Sequence, residues 1–270
     1  MKIITLVENT AIDKSLKPKH GLSIYIETPN HKVLFDLGPK DAFIHNAKKL
    51  GIDLAEIDTV VISHGHFDHG GGLAGFLDIN KKAKIYLHKL AFGPYYIKVL
   101  FLKKYIGLDR KLAGNERFIM TDEHIRIDDE LFIFSDVDGQ FESNSTILLK
   151  KTTDGYIRDD FAHEQSLIVT TEDKTILFSG CSHRGIANIM RTAHNHFPAI
   201  QAAFGGFHMC NPITSVAEPK EVVQSLAKEL SVWETKFYTG HCTGKKAFES
   251  MRNSMGEKVQ RLFTGARLEI

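Results

Sequence analysis

Short apolar runs rich in β-branched residues open both halves of the chain, and their alternation with polar positions predicts strands there. The first run is IITLVEN. LSIYIET and KVLFDLG follow, joined across Pro29-Asn30, a turn pair that predicts a β-hairpin. Asp41 stands where it can cap a helix over AFIHNAKKL, which Gly51 would stop. TVVIS, from Thr59 to Ser63, is a short apolar block of the buried-strand kind and leads directly into HGHFDHGGG. A short helix over LAGFL and a strand KIYLH come next.

Between about 92 and 112, Ile97, Leu100, Phe101, Tyr105 and Leu108 recur at helical spacing, which predicts an apolar helical face forming an excursion or lid. The second half reads as strands IRI, LFIFSDV and a hairpin SLIVTTEDKTILFSG turning at Glu172-Asp173. A helix RGIANIMRTAHNHF, a strand AIQAAFG, a helix PKEVVQSLAKELSVWE, a strand KFYTG and a final helix from Lys245 to about Phe263 complete the series. Two series of strands, each followed by helices, predict two sheets packed face to face with helices outside, an α/β four-layer αββα sandwich. No linker composition divides the chain, so residues 1–270 are expected to form a single domain.

Composition narrows this picture. Lys and Arg number 34 against 33 Asp and Glu, which gives no overall field to draw the chain to nucleic acid or an anionic membrane. No stretch of about 18 apolar residues predicts a membrane span. The start, MKIITLVENTAIDKS, lacks the apolar core of a secretory signal, and Cys181, Cys210 and Cys242 form no CxxC pair. A reducing, cytoplasmic setting is expected.

The chemistry concentrates at Ser63-His64-Gly65-His66-Phe67-Asp68-His69-Gly70, where four potential metal ligands fall within six residues. A lone loop histidine is usually structural, but HxHxDH followed by glycines is dense enough to predict a metal centre. A tight turn there aims His64 and His66 at one ion, while Asp68 and His69 reach a second. Three later glycine-flanked segments follow predicted strands: SGCSH with Cys181 and His183, GGFH with His208, and TGHCTG with His241.

HGHFDH preceded by KVLFDLG resembles the signature of the metallo-β-lactamase superfamily. Together with HGLSIYIET, GCSHRGIANI, GGFH and GHCTG, it resembles one branch of mostly metal-dependent hydrolases that also includes an archaeal pterin-ribofuranosylaminobenzene-phosphate synthase. The resemblance implies the metallo-β-lactamase fold and two divalent metal ions, zinc first, with manganese or iron as alternatives. It makes Asp36 the buried carboxylate that orients the metal loop, and His241 the last ligand of the second site beside Asp68 and His69. For the third ligand of the first site His183 is taken first, with His163 and Cys181 as second choices, because Cys181 stands where the family pattern has an aspartate. Asp68 is the expected catalytic residue, and His208 is a candidate for contacting substrate.

Two functions follow as expectations: hydrolysis of a phosphoester or related bond in a small molecule, or transfer in which a diphosphate is displaced by an aromatic amine. An iron-dependent redox protein and a non-catalytic metal module are the remaining classes. His66 argues against iron, since imidazole suits zinc well.

Overall fold

The computed structural model describes residues 1–139 and 147–270. The first sheet runs, edge to edge, through Arg267–Glu269, Lys2–Val7, Ser23–Glu27, Lys32–Phe35, Thr59–Ile62, Lys84–His88 and Phe118–Thr121. The second runs through Val259–Arg261, Lys236–Thr239, Ala202–Gly205, Lys174–Phe178, Ser166–Thr171, Leu131–Phe134 and His124–Arg126. Each sheet is antiparallel on one side and parallel on the other.

Strand alternation divides the core into layers. Val61, Leu131, Ile133, Leu167, Val169, Ile176 and Phe178 point between the sheets, where they meet Phe35 and Phe204. Their neighbours Val60 and Ile62 point the other way, onto helices Ala42–Leu50 and Leu73–Ile79. Phe132, Phe134, Ile168 and Leu177 likewise face helices Ile186–His196, Lys220–Leu230 and Lys245–Met255. This is the αββα sandwich expected from the strand series. Both expected hairpin turns form, with Glu27 opposite Lys32 and Thr171 opposite Lys174. Asp41 does stand at the helix N-cap, although its carboxylate makes no capping hydrogen bond.

Two expectations are corrected. The excursion at 92–112 is not a helix: Tyr95–Val99 and Leu102–Tyr105 form a hairpin, joined by Leu148–Thr152 and Gly155–Arg158 in a separate four-stranded sheet. Its aromatic and β-branched residues favour pairing with Leu148–Thr152, a partner remote in sequence that helical spacing cannot reveal. Leu100 takes a left-handed turn, leaving Leu100, Phe101 and Leu102 exposed instead of aligned on one buried face. The final helix ends at Met255, because Gly256 adopts positive φ, and Val259–Arg261 then adds a parallel strand beside Lys236–Thr239. No helix among the described residues is long and apolar enough to cross a membrane.

At the start of strand Thr59–Ile62, away from its loop into HGHFDH, His31 clasps the two sheets. Its Nδ1 lies 2.9 Å from Asp58 and its Nε2 2.7 Å from Asp128. Burial opposes the charge, but the two carboxylates outweigh it and raise the His31 pKa above its ordinary 6.5. The clasp is therefore fully present below about pH 6.5 and is lost as pH rises through the raised value. His31→Gln is expected to cost about 1 kcal/mol or less, since solvent screens a half-exposed pair. Urea unfolding should show that loss at pH 6 and little of it at pH 9; an equal loss at both would remove the charge from the explanation.

Candidate metal centre

The loops that follow strands Thr59–Ile62, Lys174–Phe178, Ala202–Gly205 and Lys236–Thr239 meet at one edge of the sandwich and bring His64, His66, Asp68, His69, Cys181, His183, His208 and His241 together. Backbone conformation there is unusual. Asp36, Ser182, His208 and His241 all have φ between 49° and 61°, the left-handed region that side chains avoid at a cost of about 1 kcal/mol or more each.

Asp36 is fully buried and anchors the HGHFDH loop. It accepts hydrogen bonds from the Ser63 backbone at 2.7 Å, the Ser63 hydroxyl at 2.8 Å and His69 Nδ1 at 2.6 Å. Because that hydroxyl donates to Asp36, it accepts from His64 Nδ1 at 2.8 Å, which leaves His64 Nε2 as a bare lone pair. Gly180 makes this packing feasible, since a Cβ there would lie 2.2 Å from Ser63 Oγ.

Asn9 fixes His241 in the same way. The Asn9 amide nitrogen donates to the His241 carbonyl at 3.2 Å, so its oxygen faces His241 Nδ1 at 3.1 Å and must accept from it. Glu8 holds the backbone of this turn, accepting from His241 N at 2.8 Å. His69 Nε2 and His241 Nε2 consequently face each other at 3.2 Å, with Asp68 Oδ2 3.4 Å from His241 and 3.8 Å from His69. Three acceptors so placed repel one another unless a proton or a cation lies among them. The same arrangement sets the local charges. Burial opposes it, yet Asp36 and Asp68 raise the His69 pKa to about 9, while His69 and His241 hold the Asp68 carboxyl far below its ordinary range.

His64, His66 and His183 bring one ring nitrogen each within 4.8 Å of one another. Burial and the neighbouring imidazoles push His64 and His183 well below the ordinary histidine value, so both are neutral at pH 7. Among the described residues, His64 Nε2, His66 Nε2 and both nitrogens of His183 are buried without a hydrogen-bond partner. Glu164 fixes the His183 turn by accepting from the backbone of His183 and Arg184 at 2.7 and 2.8 Å.

His163 lies in the same neighbourhood but has neither ring nitrogen free. Nδ1 accepts from Gly65 N at 2.9 Å, and Nε2 donates to Asp159 at 3.2 Å. His163→Leu is expected to cost about 1–3 kcal/mol for each group left unpaired, while elemental analysis finds the metal content unchanged. Loss of a metal equivalent would make His163 a ligand. Cys181 Sγ sits 3.2 Å from His69 Nε2, and Cys242 Sγ lies 3.5 Å from the Cys181 carbonyl.

Sequence reasoning missed Glu8, Asn9, His20, Asp159, Glu164 and Cys242. His20 Nε2 lies 3.5 Å from Asp68, and Asp159 lies 3.8 Å from His66. None carries a spacing relation to HGHFDH; the signals on offer were Glu8-Asn9 at the end of the first strand, His20 opening HGLSIYIET and Cys242 inside GHCTG.

A cavity of about 200 Å³ opens over the cluster. Its walls combine the imidazoles of His20, His66, His183, His208 and His241 with Ile97, Ile106 and Leu148 from the small sheet and its approaches.

A sandwich of two mixed sheets with a histidine-rich loop at its strand ends is the architecture of the metallo-β-lactamase fold. The family model of the metallo-β-lactamase superfamily matches residues 16–203, and the chain belongs to that superfamily. It is 31% identical to the 7,8-dihydropterin-6-methyl-4-(β-D-ribofuranosyl)-aminobenzene-5'-phosphate synthase of Methanocaldococcus jannaschii, over 98% of this chain and 95% of that protein. A solved metal-dependent hydrolase of the β-lactamase superfamily is 28% identical and superposes with a TM-score of 0.84, covering 100% of this chain and 99% of its own. Zn²⁺-bound PqqB from Methylobacterium extorquens shares the fold, with 12% identity, a TM-score of 0.59 and full coverage of both chains.

Proposed function

We propose that this chain is a metal-dependent enzyme that holds two divalent cations in the histidine cluster and hydrolyses a phosphoester or related bond in a small molecule. The observation that carries this reading is the facing of His69 Nε2, His241 Nε2 and Asp68 Oδ2, with His69 Nδ1 held by Asp36 and His241 Nδ1 by Asn9. One cation would be held by His64, His66 and His183, the other by Asp68, His69 and His241. Nitrogen and carboxylate donors of this kind suit zinc, and the Zn²⁺ of the PqqB relative supports that choice. Bound divalent cations supply Lewis acidity, polarising a phosphoryl or carbonyl oxygen and easing deprotonation of water.

The chain's own residues do the rest. Asp68 stays ionised and orients a nucleophile by accepting its proton-bearing edge. His208, whose ring centroid is 4.3 Å from that of His183, is placed to steady an oxyanion or pass a proton to the leaving group. Ile97, Ile106 and Leu148 keep water from one side of the cavity. No lysine or arginine lines it among the described residues, so a phosphate would be met by cations and imidazoles.

A second reading is transfer, favoured by the full-length likeness to the archaeal synthase. A pterin-methyl diphosphate would then condense with an aminobenzene ribosyl phosphate. The two readings part in one experiment: zinc- or manganese-loaded protein is given phosphomonoesters, phosphodiesters and a pterin-methyl diphosphate, the last with and without the amine. Chelator-sensitive release of phosphate or alcohol without the amine supports hydrolysis, and diphosphate release that requires the amine supports transfer. Absence of turnover across the whole panel would overturn both.

A further inference from the structure

Beside the two triads stand three buried groups, two of them thiols for which the hydrolytic reading has no use. Cys181, Cys242 and His208 come from three different loops, yet Cys181 Sγ, Cys242 Sγ and a His208 ring nitrogen lie within 4.8 Å of one another. We propose that these three residues form a further cation site, separate from the His64–His66–His183 and Asp68–His69–His241 triads, that takes a soft d¹⁰ cation such as zinc through two thiolates and one imidazole.

The spacing suits such an ion. Zinc–sulfur bonds of about 2.3 Å and zinc–nitrogen bonds of about 2.0 Å put ligand atoms roughly 3.5–4 Å apart on one centre. Among the described residues His208 Nδ1 is buried without a hydrogen-bond partner, a polar atom left without a contact. Buried free cysteines ordinarily pack as small hydrophobes, but Cys181 and Cys242 belong to none of the four apolar clusters of this molecule. Cys181 Sγ faces His69 Nε2, and Cys242 Sγ faces the Cys181 carbonyl. Cys242 Sγ also accepts from His208 N at 3.3 Å, which fixes the thiol beside the histidine. Room for this sulfur depends on Gly206, where a Cβ would stand 2.4 Å from it.

A cation can reach the three groups, because all of them line the 200 Å³ cavity. Each thiol that ligates gives up its proton to solvent, and the imidazole binds through a neutral nitrogen. With three protein ligands the cavity side stays open, so water or a substrate group completes the coordination. Thiolates select for soft ions, whereas the neighbouring triads contain only nitrogen and oxygen donors.

Cadmium is the probe, because thiolate-to-cadmium charge transfer absorbs in the ultraviolet where imidazole and carboxylate complexes do not. Wild-type protein, reduced and then titrated with Cd²⁺, is expected to show the band. Cys242→Ser should lower it by half or more and bind one equivalent fewer, while His66→Ala keeps it. A wild-type titration without the band overturns the proposal. So does a band that vanishes in Cys181→Ser but is untouched in Cys242→Ser, since Cys181 would then ligate an ion of the neighbouring triads. X-ray absorption on zinc-loaded wild type needs no variant to fold: sulfur scatterers are expected, and a sulfur-free zinc shell is decisive against the site. Absence of hydrolysis in wild type with the band intact would count against the two-cation hydrolytic reading alone.

Discussion

His241→Ala is expected to bind one equivalent of divalent metal fewer than wild type and to lower turnover about a thousandfold, roughly 4 kcal/mol of lost transition-state stabilisation. The effect should fall on chemistry far more than on folding. Glu8 grips the backbone nitrogen of residue 241 and Asn9 its carbonyl, so the turn keeps its anchors when the imidazole goes. Alanine must still accept the left-handed backbone, φ 49°, which costs about 1 kcal/mol. Metal analysis, turnover and urea unfolding on one preparation check the three parts together. Full metal content with full activity would remove His241 from the centre. Unfolded protein would make the anchoring account wrong.

Asp36→Asn should destabilise the metal-free protein by about 3–5 kcal/mol, the cost of breaking a buried charged pair. The amide oxygen can still accept from Ser63, but its NH₂ group faces His69 Nδ1–H and the two donors conflict. The pH dependence has a definite sign. His69 is raised from 6.5 to about 9, so its stabilising charge is fully present below pH 6.5 and disappears as pH rises through about 9. The gap between wild type and Asp36→Asn is thus wider at pH 6 than at pH 10 in chelated protein. A second consequence is weaker metal binding, by about 10–100-fold, as expected when the partner of a ligating histidine is lost. A gap that widens with pH would contradict the assigned charges.

Much of this was legible in the sequence because it rests on local rules. The strand Thr59–Ile62 is short, apolar and followed by HGHFDH, and the unbroken apolar runs in Leu131–Phe134 and Ser166–Thr171 announce strands with two buried faces. What stayed hidden depends on pairings across long separations. Tyr95–Val99 looks helical until Leu148–Thr152 is placed beside it. Glu8 and Asn9 read as the frayed end of a strand until His241, more than two hundred residues later, folds against them. Cys181 and Cys242 are ordinary single cysteines in sequence and neighbours only in space. His163 shows the opposite case, a histidine in the right region whose nitrogens are consumed by Gly65 and Asp159.

The proposed ligands divide between the two sheets: His64, His66, Asp68 and His69 follow a strand of the first, and His183 and His241 follow strands of the second. Cations shared between them would act as rivets across the sandwich. Folding and loading then become a single equilibrium, in which free metal at a hundred times its dissociation constant adds about 2.7 kcal/mol per site. The melting temperature would become a gauge of the ambient supply of metal, and a cell that withdraws the ion would remove stability as well as the proposed catalysis.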